Sequence, residues 1–251
     1  SKFDGHHEPR LGDARGADIT GLPGLTDITV TDEGVRVGAL VTHATLQHSP
    51  VIAKHVPLLW QCVPHVAHLA IRNAGTLGGS IALADPAAEY PAVVLALQAT
   101  ITLQGPHGVR DVAADDYFLG LYETARAEDE LLVAVTFPKV KDSEVMVFDE
   151  LTRRRGDYAL CGLAAAFDVS GGVIRAARLA YLSMGDTPVL APTAAAALMG
   201  KAPSEETIAA AEIALINDLS PRSDLHGSVN GKLHWAKVLF GRSVRQLGKS
   251  A

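Results

Sequence analysis

Three glycines and two hydroxyls crowd the run Ile71-Arg72-Asn73-Ala74-Gly75-Thr76-Leu77-Gly78-Gly79-Ser80, and two carboxylates, Asp85 and Glu89, follow closely. A backbone without Cβ atoms can approach a ligand where any side chain would collide. Successive N–H groups in such a turn can converge on an anion, and the Thr76 and Ser80 hydroxyls add donors. Asp85 and Glu89 can accept hydrogen bonds from the hydroxyls of a sugar or sugar alcohol. A phosphate cradle followed by a hydroxyl reader suits a nucleotide, although a plain connecting turn has the same composition. The segment is not a P-loop, since no Lys-Ser/Thr follows the second glycine pair. Nor is it the G-x-G-x-x-G dinucleotide fingerprint: the spacing is G-x-x-G-G, and no βαβ pattern surrounds it.

The chain has 251 residues, room for one large domain or two modest ones, with 48% apolar and 20% charged residues in the range of a globular protein. A net charge of −6 argues against nucleic-acid binding, which calls for a clustered basic excess. Cys62 and Cys161, with no C-x-x-C pair, exclude an iron–sulfur or thiolate zinc site built from this chain alone, and they suit a reducing compartment. No run approaches the length of an apolar membrane span, and Asp4, His6, His7 and Glu8 leave the N-terminal stretch without a secretory apolar core. A cytoplasmic location is the expectation.

Alternation and turn signals between Leu25 and Val41 predict a hairpin about an acidic turn with Gly34. A short helix is expected over 45–48 and a longer one from Pro57, its apolar face Leu58, Leu59, Cys62, Val66 and Leu69, weakened or kinked by Pro64. A buried helix over 91–97 and strands over 100–104, 109–112 and 130–137 follow. The charged stretch Lys139–Ser143 is the preferred boundary, giving domains 1–138 and 139–251. Beyond it come strands over 145–151, 160–169 and 173–182, the last two joined at Ser170-Gly171-Gly172. Helices are expected over 191–199, 204–217 and 233–247, the second capped by Ser204. The class is α+β.

The glycine run together with Ala84-Asp85-Pro86-Ala87-Ala88-Glu89-Tyr90-Pro91-Ala92 resembles the second FAD loop of the flavoprotein (medium) subunits of molybdenum hydroxylases, the carbon monoxide dehydrogenase and xanthine dehydrogenase family. Matching pieces occur in the same order from about Leu22 onward. They include Gly38-Ala39-Leu40-Val41-Thr42, Asp116-Tyr117-Phe118, Arg153-Arg154-Arg155-Gly156-Asp157-Tyr158-Ala159 and Asp224-Leu225-His226-Gly227-Ser228. The resemblance implies an FAD-binding domain of the PCMH (vanillyl-alcohol-oxidase-like) type, then a C-terminal domain with a three-stranded antiparallel sheet and helices. It implies that Gly75, Thr76, Leu77, Gly78, Gly79 and Ser80 wrap the diphosphate and ribityl chain. Glu89, where relatives carry aspartate, and Asp85 would read hydroxyls; Tyr158 would neighbour the flavin ring and Asp157 orient it. A side chain at Gly78 or Gly79 is expected to release FAD without unfolding the chain.

A flavin carries its own redox chemistry, and the sequence shows neither a catalytic triad nor a metal site. The implied role is electron transfer, from the [2Fe–2S] clusters of a small subunit to an external acceptor. The implied partners are that small subunit and a large molybdopterin-binding subunit, in a dimer of heterotrimers; the alternative is a flavin-less structural subunit. Three departures from the family pattern bear on the choice. No Ala-Gly-Gly-x-Ser-Leu first FAD loop is found in residues 1–20, as an internal deletion or an incomplete record would produce. Ser80 replaces an asparagine, and Glu150 stands where a lysine is usual. His65 and His68, and the adjacent His6-His7, lack a third ligand and read as exposed helix histidines. Arg153–Arg155 reads as an interface with partner subunits.

Overall fold

The structure is a computed structural model and describes residues 18–248. His6-His7 and nearly all of the stretch searched for a first FAD loop lie outside the described residues.

β1 (Ile28–Val30) and β2 (Val35–Gly38) form the expected hairpin. Short helices follow: α1 (His43–His48), α2 (Pro50–His55), α3 (Pro57–Cys62), α4 (Leu69–Ala74), α5 (Leu77–Leu83) and α6 (Glu89–Ala96). The hydroxyls of Thr42, Ser49 and Thr76 cap α1, α2 and α5. Pro64 does more than weaken the helix expected from Pro57. A proline ring clashes with the preceding turn, so the chain passes through a 3₁₀ turn at Val63–His65 and breaks. Leu69 therefore leaves the expected apolar face and begins α4, 63% exposed.

β3 (Thr100–Gly105) pairs with β4 (Gly108–Ala113), β5 (Phe118–Gly120) with β6 (Glu123–Thr124), and β7 (Leu131–Phe137) inserts between β2 and β3. The first sheet is thus antiparallel, in the order β1-β2-β7-β3-β4. After Pro138 come the three expected strands, β8 (Glu144–Leu151), β9 (Cys161–Ser170) and β10 (Val173–Leu182). A two-residue strand, β11 (Val189–Leu190), makes the second sheet four-stranded rather than three-stranded, in the order β11-β10-β9-β8. α7 (Pro192–Leu198), α8 (Glu205–Leu215) and α9 (Val229–Leu247) close the chain. α9 begins at Val229 rather than Leu233 because Ser228 caps it, accepting the Gly231 N–H.

The second sheet is buried on both faces. Along β9, Ala164 joins the core beneath α3 and α6, while Cys161, Leu163, Ala165 and Phe167 join the core beneath α7–α9. This alternation is the period-two pattern of a strand. α6 lies in the inner layer and is buried at every position, Glu89 in its first turn included.

Polar groups fix the joint between the two halves. Gln61 on α3 donates to Met146 O and accepts the Phe148 N–H, both at 3.0 Å, covering the open edge of β8. The Arg178 guanidinium donates to Leu95 O and pairs with Asp115, and Ser183 N donates to Pro86 O. Among the described residues, no helix is long and apolar enough to cross a membrane.

Candidate functional site

The glycine run is not an open loop: from Leu77 it is the start of α5. Thr76 Oγ1 accepts the Gly79 N–H at 3.1 Å, Leu77 N donates to Val41 O, Gly78 N to Ala39 O, and Ser80 N to Thr76 O. The four N–H groups expected to converge on an anion therefore already have protein acceptors. The helix start and the stretch after β2, laid alongside it through the Thr42–Thr76 bridge, supply them.

The glycines have different jobs. A Cβ on Gly75 would lie 2.6 Å from His43 Nε2, and one on Gly78 would lie 2.5 Å from the Ala39 Cβ and 2.7 Å from its carbonyl oxygen. Both are glycines because the protein itself fills the space. Gly79 is exposed, and its Cβ would meet only the Thr76 hydroxyl, at 3.0 Å. The expectation that a side chain at Gly78 leaves the fold intact is thus corrected; at Gly79 only the Thr76 hydroxyl has to give way, by a few tenths of an ångström. What the segment presents outward is the bare Gly79 backbone with the Thr76 and Ser80 hydroxyls. Behind it, burial and the Arg72 charge push the His43 imidazole down to about 4, so it is neutral where its Nδ1 meets the Tyr90 hydroxyl at 2.9 Å.

The two carboxylates part company. α5 ends at Ala84 in the left-handed region, φ 54°, which turns the chain toward Asp85. Asp85 Oδ1 accepts the Ala87 N–H at 2.9 Å, and Oδ2 accepts the Tyr122 hydroxyl at 3.4 Å. Glu89, in the first turn of α6, is buried instead. Burial, and then the neighbouring Glu150 charge, push its carboxyl up to about 7. Glu150 has a side chain only 4% exposed; Oε1 pairs with His65 Nδ1 at 3.1 Å, and Oε2 is buried without a hydrogen-bond partner. That hydrogen bond raises the His65 pKa, so His65 is no bystander on an exposed helix. His68 stands outside any helix, with its ring against Gly156.

A cleft of about 980 Å³ opens between the two halves. Asp85, Asp157 and Tyr158 line it; Gly75–Ser80 and Glu89 do not. Tyr158 and Arg153 come from the β8–β9 connection, which turns at Gly156 with φ +88°, where a Cβ would strike the His68 ring. The charge of Asp85, more than burial, raises the Tyr158 phenol pKa, so Asp85 is the carboxylate that acts on this ring. The cleft is also lined by a turn built on Asp224, which accepts the Lys232 ammonium and the His226 and Gly227 N–H groups, holding its pKa down at about 2. Arg153, Arg154 and Arg155 are exposed beside the cleft. Among the described residues, no three His, Cys, Asp or Glu side chains are placed to hold a metal.

The sequence reading missed Tyr122 and the His65–Glu150 pair. An aromatic directly after Gly120-Leu121 in a turn was the available signal for Tyr122. Nothing local foretells that Glu150, on a strand, meets a histidine from the other half.

Two family descriptions match the chain: "FAD binding domain in molybdopterin dehydrogenase" over residues 14–140 and "CO dehydrogenase flavoprotein C-terminal domain" over residues 146–247. The nicotine 6-hydroxylase medium subunit of Paenarthrobacter nicotinovorans is 37% identical, over 92% of this chain and 81% of that relative. Carbon monoxide dehydrogenase of Hydrogenophaga pseudoflava, solved without the Mo-pyranopterin moiety of its cofactor, superposes with a TM-score of 0.89. The identity is 34%, covering 92% of this chain and 81% of that one. Quinoline 2-oxidoreductase of Pseudomonas putida 86 gives a TM-score of 0.86 at 39% identity, covering 91% and 79%.

Proposed function

The chain belongs to the family of FAD-binding medium subunits of the molybdenum hydroxylases, and from that premise we propose how it holds its FAD. It is an oxidoreductase subunit of a multi-subunit complex. We assign the diphosphate to the Thr76 and Ser80 hydroxyls, with the exposed Gly79 leaving room for its approach, on the helix whose start Gly75, Leu77 and Gly78 shape. Asp85 and Glu89 take the hydroxyls of the ribityl or ribose units. Tyr158 flanks the ring, with Asp157 on the same wall.

The residues present fit such a group. Glu150 Oε2 is a buried acceptor without a donor, and beside it Glu89 is held partly protonated. A polyol supplies the missing donors. The cleft of about 980 Å³ is ample for a planar ring, and two exposed tyrosines line it.

The redox chemistry comes from the FAD itself, as carrier between [2Fe–2S] clusters of a small partner and an external acceptor. This chain binds, orients and excludes water. The remaining partner is a large molybdopterin-binding subunit, in a dimer of heterotrimers, with the exposed Arg153–Arg155 run at an interface. We place the domain boundary at 138/139 and the complex in the cytoplasm, a reading that the free buried Cys62 and Cys161 suit.

The single observation that carries the placement is Gly79, bare and open beside glycines that are packed shut. Acid extraction and the visible spectrum of the purified complex should show stoichiometric FAD. Gly79→Val should abolish it with the fold kept, because valine is no worse than glycine in a helix and only the Thr76 hydroxyl must shift. FAD retained in that variant overturns the placement; a well-folded parent complex that releases no flavin returns the chain to a structural role.

A further inference from the structure

Of the five tyrosines, Tyr90, Tyr117 and Tyr181 are buried, while Tyr122 is 57% and Tyr158 67% exposed. Both exposed rings line the same cleft, one from each half of the molecule. Large aromatic surface left in water beside a cavity marks a contact site. Tyr122 sits at the tip of the β5–β6 ribbon with φ +56°, in the left-handed region. A residue with a Cβ held there stores strain that glycine would avoid, and such strain gathers at ligand clamps. Its hydroxyl reaches Asp85 Oδ2 at 3.4 Å, and the same carboxylate acts on the Tyr158 phenol across the joint. Asp85 is itself fixed by the Ala87 N–H.

We propose that Tyr122 and Asp85 form a clasp at the mouth of the cleft, and that Tyr122 is a positioning residue holding the flavin ring against Tyr158. The inference rests on the FAD placement above, and it adds the residue that keeps the ring in place. The hydrogen bond is long and exposed, so the clasp opens at little expense to let the ring enter. The strained tip keeps the phenol presented rather than folded back on the ribbon.

The test is made on the intact complex with Tyr122→Phe, Asp85→Asn, the double variant and Tyr122→Gly. Hydrogen exchange of the peptide spanning Phe118–Thr124 reads the clasp whether or not flavin is bound; both single variants should raise it. Flavin release, followed by recovery of flavin fluorescence, should quicken about three- to tenfold in either single variant, the effect of losing one exposed hydrogen bond. The double variant should release no faster than Asp85→Asn alone, because the Tyr122 contact is already lost with that carboxylate. Tyr122→Gly, freed of the strained φ, should hold its melting temperature yet release flavin fastest, which a merely structural tyrosine would not do. Unchanged exchange in the single variants overturns the clasp. Raised exchange with unchanged release overturns the positioning role. A parent complex without flavin defeats the FAD placement and the positioning role with it, and exchange alone then decides the clasp.

Discussion

Polar groups act at two places in this molecule, the buried joint between its halves and the mouth of the cleft, and the two are built on opposite terms. At the buried joint, Gln61 satisfies a carbonyl and an N–H of β8 at 3.0 Å, and Glu150 meets His65 at 3.1 Å. At the mouth of the cleft, Asp85 meets Tyr122 at 3.4 Å in the open. Buried polar atoms must be matched or cost about 1–3 kcal/mol each, whereas exposed ones exchange with water almost freely. The joint therefore fixes how the halves sit, and the mouth stays free to move. One mismatch breaks the tidy division: the buried side carries an acceptor without a donor, Glu150 Oε2, beside Glu89.

Gly78→Val should have the largest effect, since its Cβ would sit 2.5 Å from the Ala39 Cβ on the sealed side. Overpacking of this kind costs about 3 kcal/mol or more. A loss of melting temperature or of soluble yield checks it, against a far smaller change in Gly79→Val; equal behaviour of the two would erase the distinction between the glycines.

Glu89→Gln tests the mismatch. The Glu89 carboxyl ionises at an ordinary 4.5 when unfolded and at about 7 when folded, so the folded chain holds the proton more tightly. Stability accordingly falls as pH rises between these values. His65 acts in the same direction: its raised pKa contributes fully below its ordinary 6.5, and the contribution is lost as pH rises through the folded value. Removing the Glu89 charge should stabilise flavin-free protein at about pH 8 by at most about 3 kcal/mol, at roughly 1.4 kcal/mol for each pH unit. It should do little near pH 4.5. Thermal melts at the two pH values decide it, and a gain independent of pH would show that the carboxyl is not buried.

Gln61→Ala gives the smallest of the three effects, about 2 kcal/mol, because Gln61 is itself only half-buried and water partly replaces the lost amide. Raised hydrogen exchange at Met146–Phe148 should accompany it. Unchanged exchange would mean that other contacts fix the joint.

Elements whose cause lies within a few residues were legible in the sequence. The Ser170-Gly171-Gly172 turn places β9 and β10 where expected, and Ser204 starts α8. Pro64 was seen but underweighted, and the pair Val189–Leu190 was too short to show as a strand. At the site, the residue types were legible and their partners were not. Gly75 and Gly78 look like ligand glycines, yet their reason is His43 and Ala39, more than thirty residues away in sequence.

By itself the sequence determined the family, the α+β class and the positions of glycines, hydroxyls and carboxylates, because motif spacing and caps act locally. Only the tertiary structure decided which glycine is open, which carboxylate faces the cleft, that Glu150 meets His65, and that Tyr122 lines the cleft. Those are facts of neighbourhood: burial, clash and charge depend on what the fold brings within a few ångströms, and chain order does not encode that distance.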